Sequence, residues 1–212
     1  YTGEPLAPEA VEVLQKAIAL VNEEANLNIQ LVLDEPRAFA GFKARLVNFT
    51  NVRNYLALVG PECRELDGIV GYYGEQLVLL AQSLGLNSCW VGGTYKVVNR
   101  AYNVDLGQKL AAVVALGYGA TQGVPHRSKA PQEVAPGYDG APEWFKRGVD
   151  AALLAPTALN QQKFSFSLDG EVGDVPVVRA STRRGAFAQM DLGIAQCHFE
   201  IGAGGALYRW SE

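Results

Sequence analysis

The side chains that usually do covalent or metal chemistry are few in this sequence and poorly spaced for it. Cys63, Cys89 and Cys197 are odd in number and form no CxxC pair, which suits reduced, mostly structural thiols. A thiol nucleophile wants a basic partner, and the chain has only His126 and His198. Those two histidines also lack the helical His/Glu spacing of a zinc site. Three segments instead suit the binding of a ligand. In Ala155 to Phe164, APTALNQQKF, Pro156 fixes a backbone dihedral and leaves amide groups exposed, and Asn160 adds a donor and an acceptor. That combination fits a planar heterocycle with hydrogen-bonding edges, although Pro and Asn would equally serve to end a helix. In Gly85 to Thr94, paired glycines let the backbone approach a ligand and Trp90 offers apolar cover. A simple helix C-cap needs one glycine, whereas this segment has Gly85, Gly92 and Gly93. In Gly117 to Lys129, Arg127 and Lys129 flank Ser128 in a glycine-rich loop, a set able to hold a phosphate or to be solvated surface charge.

The elements that must position these segments follow from periodicity. Pro8 to Asn22 spaces Ala10, Val13, Leu14, Ala17, Ile18 and Val21 as an amphipathic helix. Asn28 to Asp34 and Asn54 to Val59 read as strands. With Asp67 as N-cap, the segment to Leu86 is a long central helix, and Leu110 to Leu116 is a strand buried on both faces. The Gly/Pro-rich residues 119 to 142 form an ordered connector. Beyond it Glu143 to Leu154 is helical, Lys163 to Leu168 alternates as a strand, and Phe187 to Ile201 is a second long helix.

Length and composition bound the rest. The 212 residues can fill a core in one compact domain. Hydrophobic residues at 49% and charged residues at 19% are a globular balance. The net charge of −4, with scattered basic residues, argues against a nucleic-acid partner. Apolar runs such as Leu110 to Leu116 fall far short of the roughly 20 residues of a membrane span. With no secretory pattern at the N-terminus, the expected location is the cytoplasm.

The order helix, strand, helix occurs twice. A shift of 135 residues lays Ile29, Leu31, Leu33 and Asp34 on Phe164, Phe166, Leu168 and Asp169; a shift of 117 lays Leu77, Leu84 and Gly85 on Ile194, Ile201 and Gly202. Residues 1–125 are therefore expected to be one half and residues 126–212 a second, shorter half of a duplicated chain.

At these residues the sequence resembles the FMN-dependent nitroreductase family. APTALNQQ looks like its A-P-S-x-x-N-x-Q segment, LAQSLGLNSCWVGG like its late helix and flavin-facing loop, and PHRSK like its phosphate-side basic segment. The pattern covers nearly the whole chain and is most similar to a subgroup with an internally duplicated, pseudo-dimeric chain. The resemblance implies an α+β, nitroreductase-like fold made of two related halves. It also implies one surviving site: the first half has Glu24-Ala-Asn-Leu-Asn28 where the Pro-Ser-Asn motif belongs, and the second half ends its late helix in Gly202-Ala-Gly-Gly205 without Trp-x-Gly-Gly. By the same resemblance, Pro156, Thr157, Ala158 and Asn160 lie against the isoalloxazine of FMN from one side. Trp90, Val91, Gly92 and Gly93 meet it from the other, with amides near N5, and Arg127 and Lys129 serve the phosphate. Family members usually begin with an Arg-Arg-Ser-x-Arg segment that also holds the phosphate, and this sequence starts at Tyr1-Thr-Gly-Glu-Pro, beyond it.

The implied activity is two-electron transfer from NAD(P)H to a nitroaromatic, a quinone or a similar small-molecule acceptor. The flavin carries that chemistry, so no side chain need be catalytic. The alternatives are a flavin-binding or scaffold protein without turnover, and a nitroreductase-fold enzyme with a different flavin reaction. If the second half stands where a partner subunit usually does, the chain is expected to be a monomer.

Overall fold

Pro8 in the first helical turn and apolar residues three and four apart make Pro8–Ala25 a helix (α1) with Ala10, Leu14, Ile18 and Val21 buried. The computed structural model describes every residue except 43, 45, 46, 48 and 212. The described chain divides into two compact units, Tyr1–Leu66 with Tyr73–Val124, and Asp67–Tyr72 with Pro125–Glu212.

In the first unit α1 leads into strand Gln30–Val32 (β1) and, after a 3-10 turn at Pro36–Phe39, strand Asn54–Pro61 (β2). Helix Leu66–Ser83 (α2) follows, then strands Asn87–Val91 (β3) and Gln108–Gly117 (β4). The sheet order is β1-β2-β4-β3 with every pair antiparallel. The two central strands are β2 and β4, which accounts for their unbroken apolar runs: Tyr55 to Val59 and Ala112 to Leu116 are all buried. The core on one side gathers Phe39, Tyr55, Val59, Val113 and Ala115.

In the second unit a short helix Pro131–Val134 (α3) precedes helix Glu143–Ala152 (α4). Strands Phe164–Val172 (β5) and Val175–Thr182 (β6) pair antiparallel, helix Ala188–Ala203 (α5) follows, and Arg209–Trp210 (β7) adds to β6 in parallel. The core is aromatic. Phe166 and Phe199 stack at 4.7 Å, and Phe145 meets Phe199 edge-on at 5.5 Å. Glycines let the first turns of α2 meet α5 backbone to backbone: a Cβ on Gly193 would fall 2.0 Å from the Gly68 carbonyl oxygen, and one on Gly71 would fall 2.2 Å from that of Met190.

Several sequence expectations are corrected here. The helix α2 starts at Leu66 with Glu65 in the capping position, so Asp67 lies in the first turn and is no N-cap. Within the Gly85 to Thr94 segment, Asn87–Val91 form the edge strand β3, with Gly85 in the turn before it and Gly92 to Thr94 in a bend after it. Residues 119 to 142 contain α3 and a 3-10 turn at Tyr138–Gly140. The sequence expects one strand between α4 and α5 and none after α5, whereas α4 and α5 enclose the antiparallel pair β5–β6, as α1 and α2 enclose β1–β2, and β7 follows α5. In both pairs an Asp of, or just after, the first strand is held by an Arg of, or just before, the second: Asp34 by Arg53 (Nε 2.9 Å) and Asp169 by Arg179 (Nε 3.0 Å).

Candidate functional site

Helix α4 stops at Ala152 because Pro156 lies four residues on, lacks an N–H, and pushes the residue before it out of helical conformation. The chain then spends eleven residues, 153–163, before β5 begins. Within them Ala158–Asn160 make a single 3-10 turn, and Leu159 (φ 53°), Asn160 (φ 53°) and Gln162 (φ 43°) are all left-handed. Asparagine tolerates that region. For the other two it is a strained state costing on the order of 1–3 kcal/mol each, which persists only where the surroundings over-determine it.

The surroundings do so through hydrogen bonds from remote parts of the unit. The Asn160 amide donates to the Arg127 carbonyl at 2.8 Å, and the buried Gln162 amide donates to that same carbonyl at 2.8 Å and to Asn160 Oδ1 at 2.6 Å. Gln162 Oε1 accepts from the Lys129 backbone N–H at 2.9 Å, and Lys129 Nζ donates to the carbonyls of Gln161 and Gln162. The Gln162 N–H donates to Thr157 Oγ1 at 3.1 Å. From α5, Asp191 accepts the Ala158 N–H at 2.9 Å and the Gln161 amide at 2.6 Å. Ser128 Oγ donates to the Leu153 carbonyl at 3.1 Å and ties the basic segment to the end of α4. What remains outward is Pro156, Asn160 and Leu159, the last 102% exposed.

The second unit thus brings together Pro156, Thr157, Ala158, Asn160, Arg127 and Lys129. Lys129 has a different part from the one expected: its ammonium is held by two backbone carbonyls and braces the connection, while Arg127 is exposed. In the first unit Trp90 and Val91 end the edge strand β3. The Val91 side chain is buried in the core cluster. The Trp90 ring lies over Gly74, whose added Cβ would come within 2.7 Å of it, and its indole N–H donates to the buried Glu75 at 2.8 Å. Gly92 and Gly93 follow in an exposed bend, with open space where a Gly93 Cβ would be.

The sequence alone gives Asp191 no part in the site, and gives Gln161 and Gln162 none beyond their place in the motif. A faint signal for Asp191 exists, since it is an acidic residue set among the buried positions Ala188, Met190, Gly193 and Ile194. Burial pushes its carboxyl above the usual carboxylate range, against the downward pull of the Ala158 and Gln161 hydrogen bonds and of Lys163. Among the described residues no group of His, Cys, Asp and Glu could hold a metal ion, and no helix is long and apolar enough to cross a membrane.

Residues 1–203 match the model of a family described as "Putative TM nitroreductase". Among solved structures, a putative nitroreductase from Thermotoga maritima MSB8 is similar over 85% of this chain and 71% of its own, at 18% identity and a TM-score of 0.55. A protein from Parabacteroides distasonis ATCC 8503, described as a "Putative NADH dehydrogenase/NAD(P)H nitroreductase", is similar over 63% of this chain and 88% of its own, at 17% identity and a TM-score of 0.50. Among curated proteins, none matches the chain. The likeness places the chain in an α+β, nitroreductase-like fold.

Proposed function

Because the chain belongs to the family described as "Putative TM nitroreductase", we propose that it is an FMN-dependent oxidoreductase. It moves two electrons from NAD(P)H to a nitroaromatic, a quinone or a similar small acceptor. The observation that supports this best is the connection between α4 and β5, which is strained, remotely braced and open on its outer side.

The residues present there fit the flavin by their chemistry. Leu159 and Pro156 offer apolar surface of the kind a ring face would cover. Asn160 keeps one amide hydrogen and one oxygen lone pair beyond its internal bonds, enough to pair with a donor–acceptor edge. Arg127 is exposed and suits a phosphate. Trp90, Val91, Gly92 and Gly93 are proposed to contribute through their backbone, since the Trp90 and Val91 side chains are engaged within their own unit. Bound FMN would supply the redox chemistry, taking up a hydride and giving two electrons on. The task of the protein residues is then to hold and orient it and to keep the connection from relaxing.

We read the two helix–strand–strand–helix series, residues 1–125 and 126–212, as copies of which one still binds flavin, in a monomeric chain. The test is titration of the purified protein with FMN, followed by NADPH and then a nitroaromatic or quinone, with molar mass from light scattering. One equivalent bound, bleaching by NADPH, reoxidation by the acceptor and a monomer mass are expected. Two equivalents would overturn the single site, a stable dimer the monomer, and no binding the flavin reading. A yellow protein that NADPH never bleaches would make it a flavin-holding protein without turnover.

A further inference from the structure

Asp191 stands in the first turn of α5 and is 3% exposed, between Met190 and an α5 stretch in which Gly193, Ile194 and Ala195 are also buried. A carboxylate taken out of water is costly unless its oxygens are paired. Here each oxygen has its own partner, and both partners belong to the α4–β5 connection: Oδ1 takes the Ala158 N–H at 2.9 Å and Oδ2 takes the Gln161 amide at 2.6 Å. Gln161 is itself anchored by a second bond, from its amide to the Ala186 carbonyl at 3.0 Å. Ala158 and Gln161 lie immediately before and after Leu159 and Asn160, two of the left-handed residues. One carboxylate therefore grips both ends of the reversal that turns the Asn160 side chain outward.

We propose that Asp191 is a positioning residue of the flavin site, acting through Ala158 and Gln161 to hold Asn160 in its binding conformation; this rests on the flavin reading above. A residue serving the fold alone would be a poor choice for that place. Since the folded-state pKa of Asp191 is raised, the protein is stabilised by this group only when it is protonated, and that contribution is lost as pH rises through the raised value. Once ionised, the group is a burden on folding that its two hydrogen bonds and Lys163 only partly offset. Its worth lies in the order it imposes on the connection.

The decisive variant is Asp191→Ala, compared with the intact chain in three measurements. The thermal midpoint of the flavin-free protein should move little, because removing a desolvated charge opposes the loss of its two hydrogen bonds. The dissociation constant for FMN should increase about tenfold or more, the scale set by losing the charged hydrogen bonds. Hydrogen exchange at the Ala158 amide should accelerate, because its acceptor is gone. The half-buried Gln161 gives a second approach from the other partner: Gln161→Ala should weaken FMN binding in the same direction by a few-fold, with the fold intact. A lowered midpoint with unchanged FMN affinity would make Asp191 a structural residue and overturn the proposal, as would unchanged exchange at Ala158. If the intact chain itself takes up no FMN, the flavin reading fails, and Ala158 exchange alone decides whether the clamp exists.

Discussion

Two connections in this molecule do the same topological job, carrying the chain from a helix into the first strand of an antiparallel pair, and they are built in opposite ways. Between α1 and β1 the turn is short and closed mainly from its own helix, with Asn28 alone reaching out, its N–H to the Val59 carbonyl and its amide to Gln108 Oε1, both at 2.9 Å. Asn26 takes the left-handed capping conformation at φ 51°, and the Asn22 side chain grips both the N–H and the carbonyl of Ile29, at 2.8 and 2.9 Å. Leu27 and Ile29 go straight into the core. Between α4 and β5 the chain takes eleven residues, and its polar groups are answered by Arg127, Lys129 and Asp191, all about thirty positions away in sequence. A turn satisfied mainly from its own helix leaves few polar groups to offer. A turn held from outside can keep strained residues and outward-facing polar groups, which is the condition for a binding site. The contrast coincides with the motif difference: the first connection has no proline, and the second has Pro156.

The largest effect expected from breaking this contrast is on stability, at the closed turn. Asn22→Ala removes two part-buried hydrogen bonds and leaves the Ile29 backbone groups unanswered, a loss of about 2 kcal/mol. For a chain of this size that lowers the melting temperature by about 4–8 °C. FMN affinity should not change. Calorimetry and flavin titration on the same sample check both halves of the statement, and a change in affinity would mean that the first connection also serves the ligand.

At the open turn the effect should fall on the ligand. Asn160→Ala removes an exposed side chain whose internal bonds go to the Arg127 carbonyl and Gln162. Loss of its ligand bond costs on the order of 1 kcal/mol, up to about tenfold in FMN affinity. Circular dichroism should be unaltered. Equal affinity in the variant would reduce Asn160 to a helix-end residue.

What could be read from the sequence, and what could not, divides along the same line. Local periodicity carries α1, α2, α4, α5 and the two-sided runs of β2 and β4, because each pattern is written in neighbouring residues. The edge strand β3 reads as loop because Gly85, Gly92 and Gly93 flank it and its burial is weak. Strand β6 contains Pro176 and Arg179, which disguise it. The signal was the Gly173-Asp174 pair between Val172 and Val175: both residues have positive φ, as a two-residue hairpin turn demands. Of the candidate site, Pro156 and Asn160 were visible as a motif. Asp191 and the bracing part of Lys129 were not, because they act through contacts about thirty residues apart that no local pattern records.

The smallest expected effect gives the sharpest comparison, since it places one change at equivalent backbone conformations in the two turns. Asn26 and Leu159 are both left-handed, at φ 51° and 53°. Glycine relieves strain in that region and also adds freedom to the unfolded chain, which takes back about 0.4–1 kcal/mol. Asparagine is already at ease there, so Asn26→Gly should lower the melting temperature by about 1–4 °C. Leucine is not, and a side chain that is 102% exposed contributes no packing that its removal would forfeit. Leu159→Gly should therefore raise stability by about 0.5 kcal/mol, a shift of roughly 1–2 °C. If that leucine is retained to cover the flavin, the same variant should bind FMN a few-fold less tightly, so stability and affinity move in opposite directions. Calorimetry of both glycine variants with and without FMN reads the difference. A Leu159→Gly protein that is less stable, or that binds FMN as well as the parent, would show that the exposed left-handed leucine is neither strained nor kept for a ligand.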